Sequence, residues 1–199
     1  MLKNPIPKVK NQLQYRAIGI INGKYTPHDV EQLNRGLLID DKGEKIETVV
    51  LGKALSILKK HIDLKKSYYW VVYPKNKNTQ NLHLQVAGIW DPYQLNDFPN
   101  DASKTNFSKL LKELDLKDNY FSIRGELVFV NTQKKDFVIK VNSASKLNNL
   151  KNKNFKLAIK GELSLELLNS FVSLDINRDG NALNLIKYEV IEKDLSENK

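Results

Sequence analysis

The sequence of 199 residues contains no cysteine and only three histidines. The lack of cysteine excludes a disulfide framework, a thiolate nucleophile and a cysteine-bound zinc or iron–sulfur site. His28, His61 and His83 lie far apart in the sequence, and none of them forms HExxH or another metal-ligand spacing. We therefore expect no transition-metal site and no cofactor.

Long hydrophobic runs are also missing. The longest, AIGII (17–21) and WVVY (70–73), are far shorter than the roughly 20 apolar residues that span a bilayer, so no membrane helix is predicted. The opening segment, MLKNPIPKVKNQLQ, contains no apolar run of about 7–15 residues of the kind found in a secretory signal. The expected location is the cytoplasm, without a membrane partner.

Motifs for nucleotide binding and hydrolysis are lacking too: there is no Walker loop, no GxGxxG and no GxSxG. Glu126, Glu162 and Glu166 are candidates for a carboxylate pair, but nothing in the sequence fixes their separation. We interpret them as surface carboxylates offset by nearby lysines. The sequence thus predicts a non-catalytic protein and assigns no catalytic residue.

Arginine is scarce in a chain that is otherwise basic. The net charge is +9, yet only four of the 32 basic residues are arginine. An excess of lysine and asparagine also arises from an AT-rich coding sequence, so the charge has two explanations. The surplus lies mostly in the first 90 residues, which carry 15 basic and 7 acidic side chains. Because lysine and arginine supply most non-specific affinity for phosphates, one explanation is a nucleic-acid partner.

The first part of the chain is predicted to consist mainly of strands. Alternating apolar residues predict strands at Tyr15–Tyr25, Leu37–Ile39, Ile46–Leu51, Tyr68–Tyr73 and Leu82–Trp90. Thr26 as a cap, Pro27 at the first helical position and Gly36 as a terminator predict a short helix. A second, amphipathic helix is predicted over Lys53–Ile62, where apolar residues recur at helical spacing.

A linker of Pro, Asp, Asn and Ser residues follows and leads into a predicted helix over residues 106–116. Beyond it, strands are predicted at Tyr120–Val130, Phe137–Val141, Phe155–Leu163, Phe171–Ile176 and Ala182–Ile191, with one helical turn in SLELLNS. The expected domains are residues 1–92 and 119–199, joined by a linker over residues 93–118.

Each half therefore has about five strands with a helical insertion between the third and the fourth. That order resembles the OB-fold, a five-stranded, partly open Greek-key barrel. A small barrel needs a bent first strand, for which Gly19 and Gly125 are the candidates. The predicted fold is mainly β with minor α: two small OB-like barrels in tandem. The stretches LGKALSILKKHIDLKKSYYWVVYP and LQVAGIWDP are similar to conserved cyanobacterial proteins of unassigned function, which implies no activity.

The stretch SYYWVVYPKN (67–76) contains four aromatic residues within six positions. On a strand, Tyr69 and Tyr73 share one face and Trp70 lies on the other. Outward tyrosines beside lysines are typical of single-strand binders, where bases stack on rings next to a basic groove. The candidate nucleic-acid-binding residues are Tyr69, Tyr73, Lys75, Lys77, Lys24, Lys53 and Arg16. Trp70 is predicted to be core, and the alternative for Tyr69 and Tyr73 is that they cover neighbouring structure.

The segment DINRDG (175–180) matches the opening of a calcium loop, with Asp175, Asn177 and Asp179 as candidate ligands. The match fails at position 12, where Ile186 replaces the bidentate glutamate. A hairpin turn explains Asn, Asp and Gly without a metal, because these residues tolerate the backbone of such turns. We therefore predict a hairpin and no metal site.

Three functions remain open from the sequence. The first is a non-catalytic module that binds single-stranded RNA or DNA through basic and aromatic barrel faces. The second is a protein-interaction or assembly module without a nucleic-acid ligand, since barrels host many unrelated functions. The third, an enzyme with a small-molecule or metal-dependent reaction, requires a deep pocket lined by convergent polar groups. The oligomeric state is left open.

Overall fold

The computed structural model describes residues 4–76, 81–91, 109, 111–142 and 154–191. The strands are β1 (Arg16–Pro27), β2 (Arg35–Asp40), β3 (Lys45–Val50), β4 (Tyr68–Asn76), β5 (Leu82–Trp90), β6 (Tyr120–Asn131), β7 (Asp136–Asn142), β8 (Asn154–Lys160), β9 (Phe171–Asp179) and β10 (Ala182–Val190). An α-helix, α1 (Gly52–His61), and a 3-10 helix (Leu165–Leu167) accompany them.

The chain forms two compact units. Unit 1 comprises Met1–Pro7, Gly19–Pro74 and His83–Tyr120, and unit 2 comprises Lys8–Ile18, Lys75–Leu82 and Phe121–Lys199. The first residues of β1 and the end of β4 therefore belong to unit 2. The boundaries expected from composition, at residues 92 and 119, stay a prediction.

Unit 1 is a closed barrel of five strands in the order β2-β3-β5-β4-β1, closed by pairing of β1 with β2. β3 and β5 are parallel. β1 changes partner along its length, because Gly19–Gly23 pair with β4 and Gly23–Pro27 pair with β2. The change of partner falls at Gly23, and the bend expected at Gly19 stays a prediction. A Cβ at Gly23 would lie 2.4 Å from the carbonyl oxygen of Ile39, which leaves room only for glycine.

The core of unit 1 is built around Trp70, which is fully buried as predicted. Its indole Nε1 donates to the carbonyl oxygen of Gly23 over 2.9 Å, and its ring lies 5.7 Å from that of Tyr25. The Tyr25 hydroxyl donates to the carbonyl oxygen of Leu33 over 2.9 Å. Both large polar-tipped rings are therefore hydrogen-bonded inside the barrel, as buried Trp and Tyr require.

The helix predicted over residues 26–36 is not formed. Thr26 and Pro27 are instead the last residues of β1, paired with Leu37 and Gly36 of β2. A Cβ at Gly36 would lie 2.3 Å from the carbonyl oxygen of Thr26, so this glycine permits close strand approach and does not end a helix. Strand pairing overrides the local capping signal. The second predicted helix is confirmed as α1, which buries Ala54 and Leu58.

Unit 2 repeats the same topology, β6-β7-β8-β10-β9, and closes by pairing of β6 with β9. β8 and β10 are parallel, as β3 and β5 are. The predicted helical turn between the third and fourth strands is confirmed as the 3-10 helix. A Cβ at Gly125 would lie 2.3 Å from the carbonyl oxygen of Lys140, which explains a glycine at this point of β6. The expected fold, two OB-like barrels with minor α, is confirmed.

The structure describes only the end of the predicted linker. Lys109 and residues 111–113 are helical, in agreement with the helix predicted over residues 106–116. Residues 92–108 and 110 lie outside the described residues. Within the described part of the chain, no helix is long and apolar enough to cross a membrane.

Candidate nucleic-acid interface

The aromatic stretch of β4 follows alternation in part, since Val71 is buried although it shares a face with Tyr69 and Tyr73. Trp70 and Val72 are buried, whereas Tyr73 is 39% exposed. Tyr69 is half-buried, and its ring meets that of Trp90 edge-on at 6.0 Å. Burial, followed by the charges of Asp118 and Asp41, raises the pKa of Tyr69. Tyr69 is therefore partly committed to packing, and Tyr73 offers the more open ring.

The predicted basic residues are divided between the two units. Lys24 and Lys53 are exposed residues of unit 1. In unit 2, the ammonium of Lys75 lies 3.3 Å from the ring centroid of Phe155, and burial lowers the pKa of this lysine. Arg16 donates to the hydroxyl of Ser122 over 2.6 Å. Lys75 and Arg16 thus each contact a side chain of unit 2, and Lys77 lies outside the described residues.

The outward face of β1, β2 and β3 in unit 1 carries basic residues around an apolar strip. Strand register places side chains in rows, because directly opposed residues of antiparallel strands point to the same side. This unit 1 face consists of Lys24, Ile39 and Lys45 in one row, Thr26, Leu37 and Glu47 in the next, and Arg35 and Val49 in the last. The three basic residues are exposed and the aliphatic ones half-buried. No described aromatic ring belongs to these rows.

The corresponding face of unit 2 differs by having an exposed ring. The unit 2 face consists of Glu126, Lys140 and Lys156 in one row, Phe129, Val138 and Ala158 in the next, and Asn131, Asp136 and Lys160 in the last. Phe129 is 49% exposed, and half-buried Val138 and Ala158 continue its row. An aromatic ring thus lies between two rows that contain lysine.

A β-bulge turns Phe129 outward. Phe121, Ile123 and Leu127 are inward and fully buried, and strict alternation would place Phe129 inward with them. The register between β6 and β7 shifts between Leu127 and Phe129, so one additional residue, Val128, reverses the alternation. Hydrophobic periodicity therefore does not reveal that Phe129 is exposed, since a bulge leaves no clear signal in it.

A hydrogen-bonded chain crosses one edge of the unit 2 face. The ammonium of Lys140 donates to Glu126 over 2.9 Å, and the Tyr15 hydroxyl donates to the same carboxylate. These bonds lower the pKa of Glu126, and burial together with the bond to Glu126 raises the pKa of Tyr15 to about 12. Glu126 therefore offsets the charge of Lys140. Glu162 is likewise paired, with Lys135 at 2.5 Å, as expected of surface carboxylates.

The calcium-like segment forms a hairpin. Asp175, Asn177 and Asp179 alternate along β9 and pair with β10 up to the turn at Gly180, whose φ is +55°. On an extended strand the outer two of these residues are about 13 Å apart, so the three side chains do not surround one point. Among the described residues, no group of three His, Asp or Glu side chains is placed to hold a metal ion.

Two family models match the two barrels. Residues 17–97 match a family described as PatR RNA-binding protein, N-terminal OB-fold domain, and residues 123–192 match one described as cyanobacterial OB-fold-like RNA-binding domain, C-terminal. The chain therefore contains one OB-fold domain of each of these families, in tandem. No curated protein matches it.

In the tandem OB-fold assignment, the unit 1 face and the unit 2 face are equivalent surfaces of their two barrels. OB folds bind oligonucleotides on the face of their second and third strands and with the loops that flank them. In this OB-fold protein these strands are β2 and β3 in unit 1 and β7 and β8 in unit 2. The unit 1 face and the unit 2 face both include them, whereas the outward tyrosines of β4 lie on the fourth strand.

Proposed function

We propose that this tandem OB-fold protein binds single-stranded RNA, with the unit 2 face as its principal contact surface. Phe129 stacks on a base, and Lys156 and Lys160 contact the phosphates on either side of it. The observation that carries this proposal is the exposed ring of Phe129 between lysine-bearing rows on the second- and third-strand face. The match of both barrels to families described as RNA-binding supports it.

Stacking on Phe129 supplies the larger part of the local affinity. A base that stacks on an aromatic side chain contributes about 1–3 kcal/mol, and the contact tolerates any base because every base has a π-face. Val138 and Ala158 continue the row beside the ring and have no polar atoms in their side chains. A base can therefore lie over this row without leaving a buried polar group unpaired.

The lysines of β8 supply the phosphate contacts. Lys156 and Lys160 are both exposed and lie on the same side of β8, about 13 Å apart along the strand. Neither forms an ion pair with a described carboxylate, whereas Lys140 is offset by Glu126. Two available ammonium groups on either side of the stacked base suit a backbone that runs along β8. A lysine is a point charge, so these contacts carry little sequence preference.

The unit 1 face adds a second set of phosphate contacts. Lys24, Lys45 and Arg35 are exposed there around half-buried Leu37 and Ile39. Without a described aromatic ring, this face contributes charge and no stacking. We assign it a supporting role in affinity.

Anisotropy of a labelled oligouridine of about ten nucleotides tests the proposal, since an OB fold covers about 4–16 nucleotides. We expect Phe129→Ala to weaken binding about 5- to 150-fold, which corresponds to the loss of one stacked base. Phe129→Tyr keeps a ring and retains affinity. Tyr188→Ala is the matched control, because Tyr188 is a 43% exposed ring of unit 2 that lies outside the unit 2 face. Absence of binding, or equal losses from Phe129→Ala and Tyr188→Ala, would refute the proposal.

A further inference from the structure

A groove of about 470 Å³ lies in unit 2 where the β9–β10 turn faces the start of β7 and the end of β8. Its lining includes Asp136, Ala158, Lys160, Asp179, Asn181 and Ala182, and it combines aliphatic side chains with carboxylates, amides and one ammonium. This composition suits a flat, polar-edged ligand the size of a nucleobase.

The groove continues the unit 2 face. It shares Asp136, Ala158 and Lys160 with that face, and Ala158 lies in the row of Phe129. A nucleotide next to the one stacked on Phe129 therefore reaches the groove by following β8. The groove is the place in this unit where a base can be recognised by its edge, since the Phe129 row itself offers no polar atoms.

Asp136 and Lys160 place an acceptor and a donor side by side at this groove. They are directly opposed residues of β7 and β8, whose Cβ atoms are about 4.5–5.5 Å apart in such pairs. In the described part of the chain, neither side chain is held in an ion pair or a hydrogen bond with another side chain. Both are therefore available to a ligand.

We infer that this groove binds a guanine base of single-stranded RNA, with Asp136 recognising its Watson–Crick edge and Lys160 contacting the adjoining phosphate. Guanine alone among the four bases presents two adjacent donors, N1–H and N2–H₂, beside an acceptor, O6. The ionised carboxylate of Asp136 accepts from both donors. The half-buried side chains of Ala158 and Ala182 supply apolar contacts to the base. The inference rests on the proposed RNA binding and adds base preference to it.

Competition between oligonucleotides that differ at one base tests the preference. The probe is an oligouridine of about ten nucleotides, and its competitors carry one central guanosine, inosine or adenosine. We expect the guanosine oligonucleotide to bind roughly tenfold or more tightly than oligouridine, the discrimination of one bidentate contact. Inosine lacks the N2 amino group, so it should lose most of this advantage.

Asp136→Asn separates base recognition from general electrostatics. Removing a negative charge strengthens binding of every RNA slightly, whereas loss of the two-donor contact weakens only the guanosine oligonucleotide. Glu166→Gln is the matched control, because Glu166 is an exposed carboxylate of unit 2 outside the groove. We expect Asp136→Asn to abolish the guanosine preference and Glu166→Gln to keep it.

The outcomes distinguish this inference from the proposed function. If all oligonucleotides bind equally, or Asp136→Asn leaves the guanosine preference intact, the inference is wrong and RNA binding stands. If no oligonucleotide binds, both are wrong.

Discussion

Replacing Gly23 by alanine tests the closure of the unit 1 barrel. The new Cβ would lie 2.4 Å from the carbonyl oxygen of Ile39 and 3.2 Å from the Cα of Asp40, whereas ordinary contacts begin at 3.4 Å. β2 must therefore move away by about 1 Å at the residue where β1 changes partner. Such overpacking costs about 1–3 kcal/mol, and each weakened ladder hydrogen bond adds about 0.5–1.5 kcal/mol. We expect a total loss of about 2–5 kcal/mol.

Equilibrium urea unfolding followed by tryptophan fluorescence measures this loss. Both tryptophans, Trp70 and Trp90, belong to unit 1, and Trp70 is hydrogen-bonded to the carbonyl of Gly23 itself. Gly88→Ala is the control, because Gly88 lies on β5 of the same unit and a Cβ there meets nothing within 4 Å. This control should change the free energy of unfolding by less than about 1 kcal/mol. Equal effects of the two substitutions would refute the argument from close strand approach.

Three further predictions concern the faces and the core. The double substitution Lys156→Gln and Lys160→Gln should reduce the slope of log affinity against log salt by about 1.4 in an oligouridine titration, since each phosphate contact on single strands contributes about 0.7. An unchanged slope would exclude both lysines from phosphate contact. Because the pKa of Tyr15 is raised from 10.0 to about 12, the stability it contributes is complete below pH 10 and is lost as pH rises through about 12. Tyr15→Phe should flatten this alkaline limb of the unfolding free energy, and an equally steep limb would contradict the assignment. Trp70→Phe leaves the buried carbonyl of Gly23 without its indole donor, which should lower the free energy of unfolding by about 1–3 kcal/mol. Chemical unfolding followed by circular dichroism measures this loss, and a neutral effect would show that the bond is dispensable.

Local patterns were sufficient to predict most of the strands. β5 begins and ends where alternation placed it, at Leu82 and Trp90, and the buried position of Trp70 follows from the same period of two. The tandem OB order could be predicted because five short strands and a helical insertion recur in each half. The helix predicted from Thr26, Pro27 and Gly36 failed because a cap signal is local, whereas the pairing of β1 with β2 is not.

The candidate site was harder to predict, because its key contacts join residues that are distant in sequence. Lys75 was expected to face a ligand, yet its ammonium lies over Phe155, eighty positions later. Phe129 has the phase of a core residue, and only the additional residue at Val128 brings it to the surface. Asp136 and Lys160 become neighbours through the register of β7 with β8, which no periodicity in either strand specifies. The nucleic-acid-binding roles predicted from the sequence for Tyr69, Tyr73, Lys75, Lys77, Lys24, Lys53 and Arg16 stay predictions, as do the domain boundaries.

The division of the chain into two units bears on how the protein can be dissected. Unit 2 includes Lys8–Ile18 and Lys75–Leu82, which precede its own strands. Arg124 donates to the hydroxyl of Ser173 at 2.9 Å and to the carbonyl of Gln12. The amino-terminal stretch is therefore bonded to the strands of unit 2. A fragment that starts at residue 119 would lack these pieces. Isolating either OB fold by a single cut should therefore yield an incompletely folded fragment. A circular permutant, or co-expression of the missing segments as peptides, is the better way to obtain each fold alone.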